Sequence, residues 1–202
     1  MATIDGVGRD GIHAADDILD AARDIVLERG VSGATTRAIA DAAGAPSGSI
    51  YHRFGSRDGL LAQMWIRAIR RSQRVFLDAL AAHEDPREAA VAAALSVFDF
   101  ARDCRKDAQI ASLFRREDLM REAPADLAET LRTLNDPVVR AMRRLGAAIA
   151  GASAPLDTVV LAVIDLPYGA VRRHLVRGHA PPQVLRPALE SAVRAVLQSV
   201  TA

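Results

Sequence analysis

The sequence predicts an all-α fold, and three observations carry it. Half of the 202 residues are hydrophobic but only 4% are aromatic, so a core must be built from Ala, Leu, Val and Ile. Alanine is abundant and strand-like alternation is scarce, while apolar residues recur at three- and four-residue steps. The nine prolines fall largely at the ends of those periodic segments, where a missing N–H does least harm.

Residues 1–13 are polar and glycine-rich and read as a disordered leader. A first helix is expected over Ala14 to Arg29, turning Ile18, Ala22, Ile25 and Val26 inward, with Gly30 ending it. A second, Thr36 to Ala43, buries Ile39, Ala40 and Ala43. Gly44 stops it, because a chain leaving a helix often needs a left-handed residue. Pro46 then forces a turn, and Ser47 is expected to cap a third helix over Gly48 to Phe54. Ile50 and Phe54, four apart, face the interior, which leaves Ser47, Ser49, Tyr51, His52 and Arg53 outside. This is the pattern of a helix-turn-helix. Ser56 caps a long helix, about 56–82, with apolar positions Leu60, Leu61, Met64, Ile69, Phe76 and Leu80. Arg67, Arg70, Arg71 and Arg74 on it read as a solvated face or a link between domains.

The chain changes character from about Pro86, and the expected domains are 14–60 and 61–202, with the long helix of about 56–82 linking them. Pro86 suits the first position of a helix carrying Val91, Leu95 and Phe98. A shorter helix follows over Asp107 to Met120, then one from Pro124 to Ala150 with a stripe through Leu127, Leu131, Leu134, Val138, Met142, Leu145 and Ile149. Gly146 and Gly151 weaken its end. The last two helices, about 155–177 and 182–200, are apolar on more than one side and so have a second arc to cover. Pro167 should kink the first of these within Asp165-Leu166-Pro167-Tyr168-Gly169. No repeat or low-complexity segment is evident.

The outward face of the third helix has the wrong composition for a merely solvated surface. Two hydroxyls, a phenol, an imidazole and a guanidinium crowd within seven residues, with no carboxylate among them. Hydroxyls and amides at a helix N-terminus suit phosphate oxygens, and a short helix led by small residues can enter a major groove. The ordered set Ile18-Leu19-Asp20-Ala21-Ala22, Gly30, Thr35 to Ala40, Ala43-Gly44, Gly48-Ser49-Ile50-Tyr51, Phe54-Gly55-Ser56-Arg57 and Leu60-Leu61 resembles the N-terminal domain of TetR-family transcriptional regulators, over about a quarter of the chain.

The resemblance implies roles for these residues. Thr36 and Arg37 would hold backbone phosphates. Ser47, Gly48, Ser49 and His52 lie where the family reads bases, and Tyr51 where it meets the sugar-phosphate backbone. Arg57 replaces the family's commoner Lys as a phosphate clamp. Arg53 stands where many members carry His and adds a charge. Because Ser47, Gly48 and Ser49 are small, DNA shape would carry part of the specificity. The resemblance further implies a homodimer built through helices 155–177 and 182–200 as a four-helix bundle, a double-stranded and palindromic operator, and a small-molecule effector bound in the larger domain. Repression, relieved by that effector, is the implied function. Candidate pocket residues are Phe98, Phe114, Asp165 and Tyr168, with a plain core role for the phenylalanines and an exposed or Arg172/Arg173-paired Asp165 as the alternatives.

Charge argues less directly. The formal net charge is +1, and residues 1–60 hold six basic against nine acidic side chains. The stretch from Arg37 to Arg57 is different, with three arginines and one aspartate, and phosphate affinity follows the presented face. The acidic balance supports a rival reading: a helical small-molecule binding or scaffolding protein without DNA function. Cys104 is the single cysteine, which excludes an internal disulfide and a cysteine cluster. The five histidines are scattered and lack metal-ligand spacing, and no nucleophile elbow, phosphate loop or dinucleotide fingerprint is present. No enzyme activity, cofactor or metal is therefore expected. Met1 to His13 lacks the apolar core of a signal peptide and no segment is long enough to span a bilayer, so a cytoplasmic location away from membranes is expected.

Overall fold

The computed structural model describes residues 6–150 and 156–200, and every regular element among them is helical. The chain packs as two units, residues 1–67 with 114–132 and residues 68–113 with 133–202. The division differs from a boundary near residue 60, because a stretch from the middle of the chain belongs with the first unit.

In the first unit, α1 (Gly6–Gly33) buries Ile18, Ala22, Ile25 and Val26. The first five residues of the expected leader lie outside the described residues, and helical backbone begins at Gly6. Extending an existing helix by a residue costs far less than starting one, so the helical backbone of α1 runs back well ahead of Ala14. Gly30 breaks the helix with φ 75° and ψ 173°, a conformation L side chains rarely adopt. Helices α2 (Thr36–Ala43) and α3 (Ser47–Phe54) follow, then α4 (Arg57–Ala81). The Thr35 hydroxyl accepts the Ala38 N–H at 3.1 Å to cap α2, and Gly44 closes it in the left-handed region at φ 61°. Ser56 caps α4 by accepting from Gly59 N at 3.0 Å. The expectation for Ser47 is corrected: it is the first residue of α3, Pro46 holds the cap position, and no side chain caps the helix. Proline fixes the extended entry by its ring, so the turn needs no hydroxyl.

The stretch that joins this unit from mid-chain comprises α7 (Arg116–Glu122) and most of α8 (Ala125–Thr133). A Cβ on Gly59 would sit 2.2 Å from the Phe54 carbonyl oxygen and 3.2 Å from Pro124 Cγ. The missing side chain at Gly59 lets the start of α4 press against the end of α3. Arg67, only 13% exposed, binds Asp16 at 2.8 Å and also Asp20, tying α4 to α1. The four-arginine face is thereby divided: Arg70 and Arg74 are exposed, while Arg67 and Arg71 hold carboxylates.

The second unit contains the rest of α4, α5 (Pro86–Asp103), α6 (Arg105–Leu113), α9 (Asp136–Ala150), α10 (Leu156–Val160), a π turn (Leu161–Asp165), α11 (Leu166–Leu175) and α12 (Leu185–Ser199). Asp85 caps α5 by accepting from the Arg87 and Glu88 amides, with Pro86 in the first turn. The continuous helix expected over 124–150 is instead α8 and α9. The stripe through Leu131, Leu134, Val138 and Met142 hides the break, but Pro137 has no N–H to extend the ladder and instead opens a new helix. The helix expected over 107–120 likewise divides into α6 and α7.

Alanines 90, 93 and 94 with Leu95 and Phe98 make α5 the centre of the core, against Val163, Val171, Leu175, Val193 and Leu197. Arginines clamp α12 to α5. Arg194 binds Glu88 at 2.6 Å, Arg186 binds Asp99 at 2.8 Å, and Arg87 donates to the carbonyls of Leu197 and Val200. Asp107, buried on α6, accepts from Arg71 at 2.8 Å. The interruption expected at 165–169 takes the form of the π turn just before Pro167, in which Leu166 N donates to Leu161 O. One wide turn re-routes the ladder ahead of the proline, so helical backbone continues on both sides. Gly151 and the start of the helix expected from residue 155 lie outside the described residues.

Candidate nucleic-acid interface and ligand cleft

Helix α3 is seated by two side chains and presents the rest. Ile50 is completely buried and Phe54 nearly so, and both lie on its inner face. Ser47, Gly48, Tyr51, His52 and Arg53 are exposed, Tyr51 at 56%, and Ser49 is half-buried. Pro46 offers no capping side chain and its carbonyl accepts from Ser49 N at 2.9 Å, while the exposed start of α3 carries the positive end of the helix dipole and His52 and Arg53 add basic groups in the last turn. A Cβ at Gly48 would meet nothing within 4 Å, so packing does not require a glycine there.

On α2, Thr36 is half-buried and Arg37 is largely exposed, in a loose 3.9 Å pair with Asp41. Arg57 is placed differently from the outward clamp the resemblance implies. Its Nε donates to Ala34 O at 2.8 Å, a second nitrogen donates to Val31 O, and a third to Asp58 at 3.2 Å. The guanidinium thus holds the segment between α1 and α2 against the start of α4. The acidic excess also acquires a place. Asp16 and Asp20 serve Arg67, Asp24 pairs with Arg23, and Asp24, Glu28 and Asp41 line a crease between α1 and α2. None of these carboxylates belongs to α3.

The four candidate pocket residues are not brought together. Phe98 is a core side chain with no exposure, Phe114 belongs to the first unit, and Asp165 is exposed in the π turn. Tyr168 alone of them lines a cleft of about 460 Å³ in the second unit. Residues of α4 (Ile69, Ser72, Gln73, Phe76), of α9 and of α10–α11 form most of its wall. Gln73 and Asn135, which the sequence did not single out, supply its polar corner. Gln73 Nε2 donates to Leu134 O and to Asn135 Oδ1, each at 3.0 Å. No group of three or more His, Cys, Asp or Glu among the described residues could hold a metal ion. No helix among them is long and apolar enough to cross a membrane.

Residues 18–64 match the family described as bacterial regulatory proteins, tetR family. Those residues form a helix-turn-helix domain of the tetR type. Within this TetR-type domain the chain is 47% identical over 45 residues to the HTH-type transcriptional repressor KstR2 of Rhodococcus jostii, a stretch that covers 22% of each chain. Solved structures extend the likeness of fold to nearly the whole chain. A TetR family transcription regulator from Marinobacter aquaeolei superposes with a TM-score of 0.71 at 14% identity, covering 93% of this chain and 96% of that one. The ketosteroid transcriptional regulator KstR2 of Mycobacterium tuberculosis gives 0.67 at 18% identity, with 93% and 95% covered. The fatty acid degradation regulator FadR of Bacillus halodurans gives 0.67 at 16%, with 89% and 97% covered. At these identities the likeness is one of architecture alone.

Proposed function

We propose that this TetR-family chain is a homodimeric, sequence-specific DNA-binding repressor, released from its operator by a small molecule bound in the second unit. The observation that carries the reading is the outward face of α3. It combines two hydroxyls, Tyr51, His52 and Arg53 on a helix with no capping side chain, and it has no carboxylate. In this reading Ser47, Gly48, Ser49 and His52 meet base edges while Tyr51, Arg53, Thr36 and Arg37 meet the backbone. Arg57 acts from inside, fixing the 31–34 segment that leads into α2. The identity to a named repressor over this domain supports the same reading.

Dimerisation follows from the length of the motif, since one α3 reaches few base pairs. A two-fold dimer reads two half-sites about 34–36 Å apart, which makes the operator palindromic. The surface proposed for pairing lies on α11 and α12. Opposite its buried Leu189, Val193 and Leu197, α12 exposes Ala188, Ser191, Ala192 and Ala195, small enough for close helix approach. Helix α4 begins three residues after α3 and carries four cleft residues, so a ligand in the cleft acts on the element that follows the reading head.

Fluorescence anisotropy against the DNA upstream of its own coding region and a scrambled duplex, at physiological salt, tests the proposal. Tight binding to the native duplex alone, with two subunits per site, is the expected result. Equal weak binding to both, with no site recovered by selection from random DNA, would favour the rival reading of a helical small-molecule binding or scaffolding protein, which the acidic balance of residues 1–60 supports.

A further inference from the structure

The cleft in the second unit has a composition that selects the charge of its occupant. Apolar side chains make most of its wall, including Phe76, Val138 and Met142, and among the described residues no Lys, Arg, His, Asp or Glu lines it. Its volume of about 460 Å³ falls in the range of roughly 300–1,000 Å³ that holds small organic ligands. A carboxylate, phosphate or ammonium entering it would lose water with no countercharge in return, a heavy penalty in such surroundings. A neutral oxygen meets a prepared corner. Gln73 spends its two N–H groups on Leu134 O and Asn135 Oδ1, which leaves the Gln73 carbonyl oxygen as an acceptor and the Asn135 amide nitrogen as a donor. Ser72 of α4 and Tyr168 of α11 also line the cleft.

We propose that the effector is an uncharged, predominantly apolar molecule carrying a hydroxyl or keto oxygen, and that the Gln73–Asn135 pair reads this oxygen. The proposal rests on the effector-released repressor reading above and narrows its ligand. It also assigns Gln73 a part in the response. Gln73 stands on α4 and bonds across to the residues that open α9, so a ligand oxygen that engages either amide competes with the bond joining the two helices.

The test uses the full chain and three probes with one ten-carbon body: 1-decanol, decanoate and decylamine. Binding is measured by titration calorimetry and by the shift in Tm. Decanol should bind at least tenfold more tightly than either ion. Val139→Trp, at a half-open rim position, should remove decanol binding, while circular dichroism reports an unchanged helix content. Gln73→Leu should weaken decanol about three- to tenfold, the loss of one hydrogen bond, without increasing decanoate affinity. Equal or tighter binding of decanoate or decylamine, undiminished decanol binding in both variants, or no binding of any probe would overturn the proposal. Operator anisotropy on the same preparations separates the two readings. Loss of DNA binding with the decanol pattern intact would sink the repressor and spare the ligand class, and the reverse would do the opposite.

Discussion

Arg37 and Arg57 both flank the helix-turn-helix pair α2 and α3, yet the structure gives them opposite surroundings, and each calls for its own measurement. Arg37 is open to solvent with only a loose carboxylate neighbour. Arg37→Ala should weaken binding to all duplexes about equally and lower the salt slope by about one, with Tm unchanged. Arg57→Ala should instead lower stability by about 1.5–3 kcal/mol, the range for hydrogen bonds from a charged donor, and reduce DNA binding only as a consequence. Chemical denaturation alongside anisotropy distinguishes the two, and an Arg57 variant with unaltered stability would refute the internal role. Gly48 gives a sharper contrast. Because a Cβ there meets open space, Gly48→Ala should stabilise the fold by roughly 0.5–1 kcal/mol while lowering operator affinity. The seating of α3 was legible, since Ile50 and Phe54 are four apart on a short helix. The partners of Arg57 were not, because the Ala34 and Val31 carbonyls lie 23 and 26 residues away and carbonyls have no sequence signature. The Gln73–Asn135 contact spans 62 residues and was hidden for the same reason.

At the scale of elements, caps and breakers were read well where they were local. Thr36 to Ala43 as α2, Gly44 as its stop and Ser56 as the cap of α4 all follow from residues within one turn. Local reading failed where two signals competed. The apolar stripe across Leu131 to Met142 outweighed Asp136-Pro137, although a proline inside a stripe is the stronger statement about backbone. The clamp between α5 and α12 makes a testable pH statement. Hydrogen bonds from Arg194 hold the Glu88 carboxyl below its ordinary value of 4.5, against a smaller upward push from burial. A lowered folded-state value means that the pair contributes above about pH 4.5 and loses that contribution as pH falls from there through the folded value. The Tm gap between the native chain and Glu88→Gln should therefore be present at neutral pH and close in acid. A gap that widened in acid would contradict the assignment.

For the whole molecule, the proposed dimer places the α11 and α12 surfaces under the heaviest demand. Ala192→Arg with Ala195→Arg should yield a folded monomer by sedimentation and abolish tight operator binding, with the free-chain helix content retained. A dimer of unchanged affinity would move the interface elsewhere. The two-part organisation was visible in the change of character near Pro86, but the return of residues 114–132 to the first unit was not. Nothing in a short amphipathic helix states which of two apolar surfaces it will cover. What reveals it is Gly59, whose absent side chain makes room for Pro124.

Helices α10 and α11 bury Val159, Val163, Pro167, Val171 and Leu175, five positions at an unbroken interval of four. An ordinary helix advances about 100° per residue, so each interval of four drifts about 40° and four intervals would carry the last side chain about 160° around the axis. The wide turn at Leu161–Asp165 absorbs one residue without advancing the face, and it brings Val171 and Leu175 back over the core. The chain is thus phased like a vernier, with one surplus residue resetting the count midway. Removing a single residue between 161 and 165 would let the wide turn close into ordinary α-helix and leave the face presented from Leu166 onward in phase. A one-residue deletion in this turn should therefore be tolerated, whereas inserting a second surplus residue should turn the buried face of α11 toward solvent.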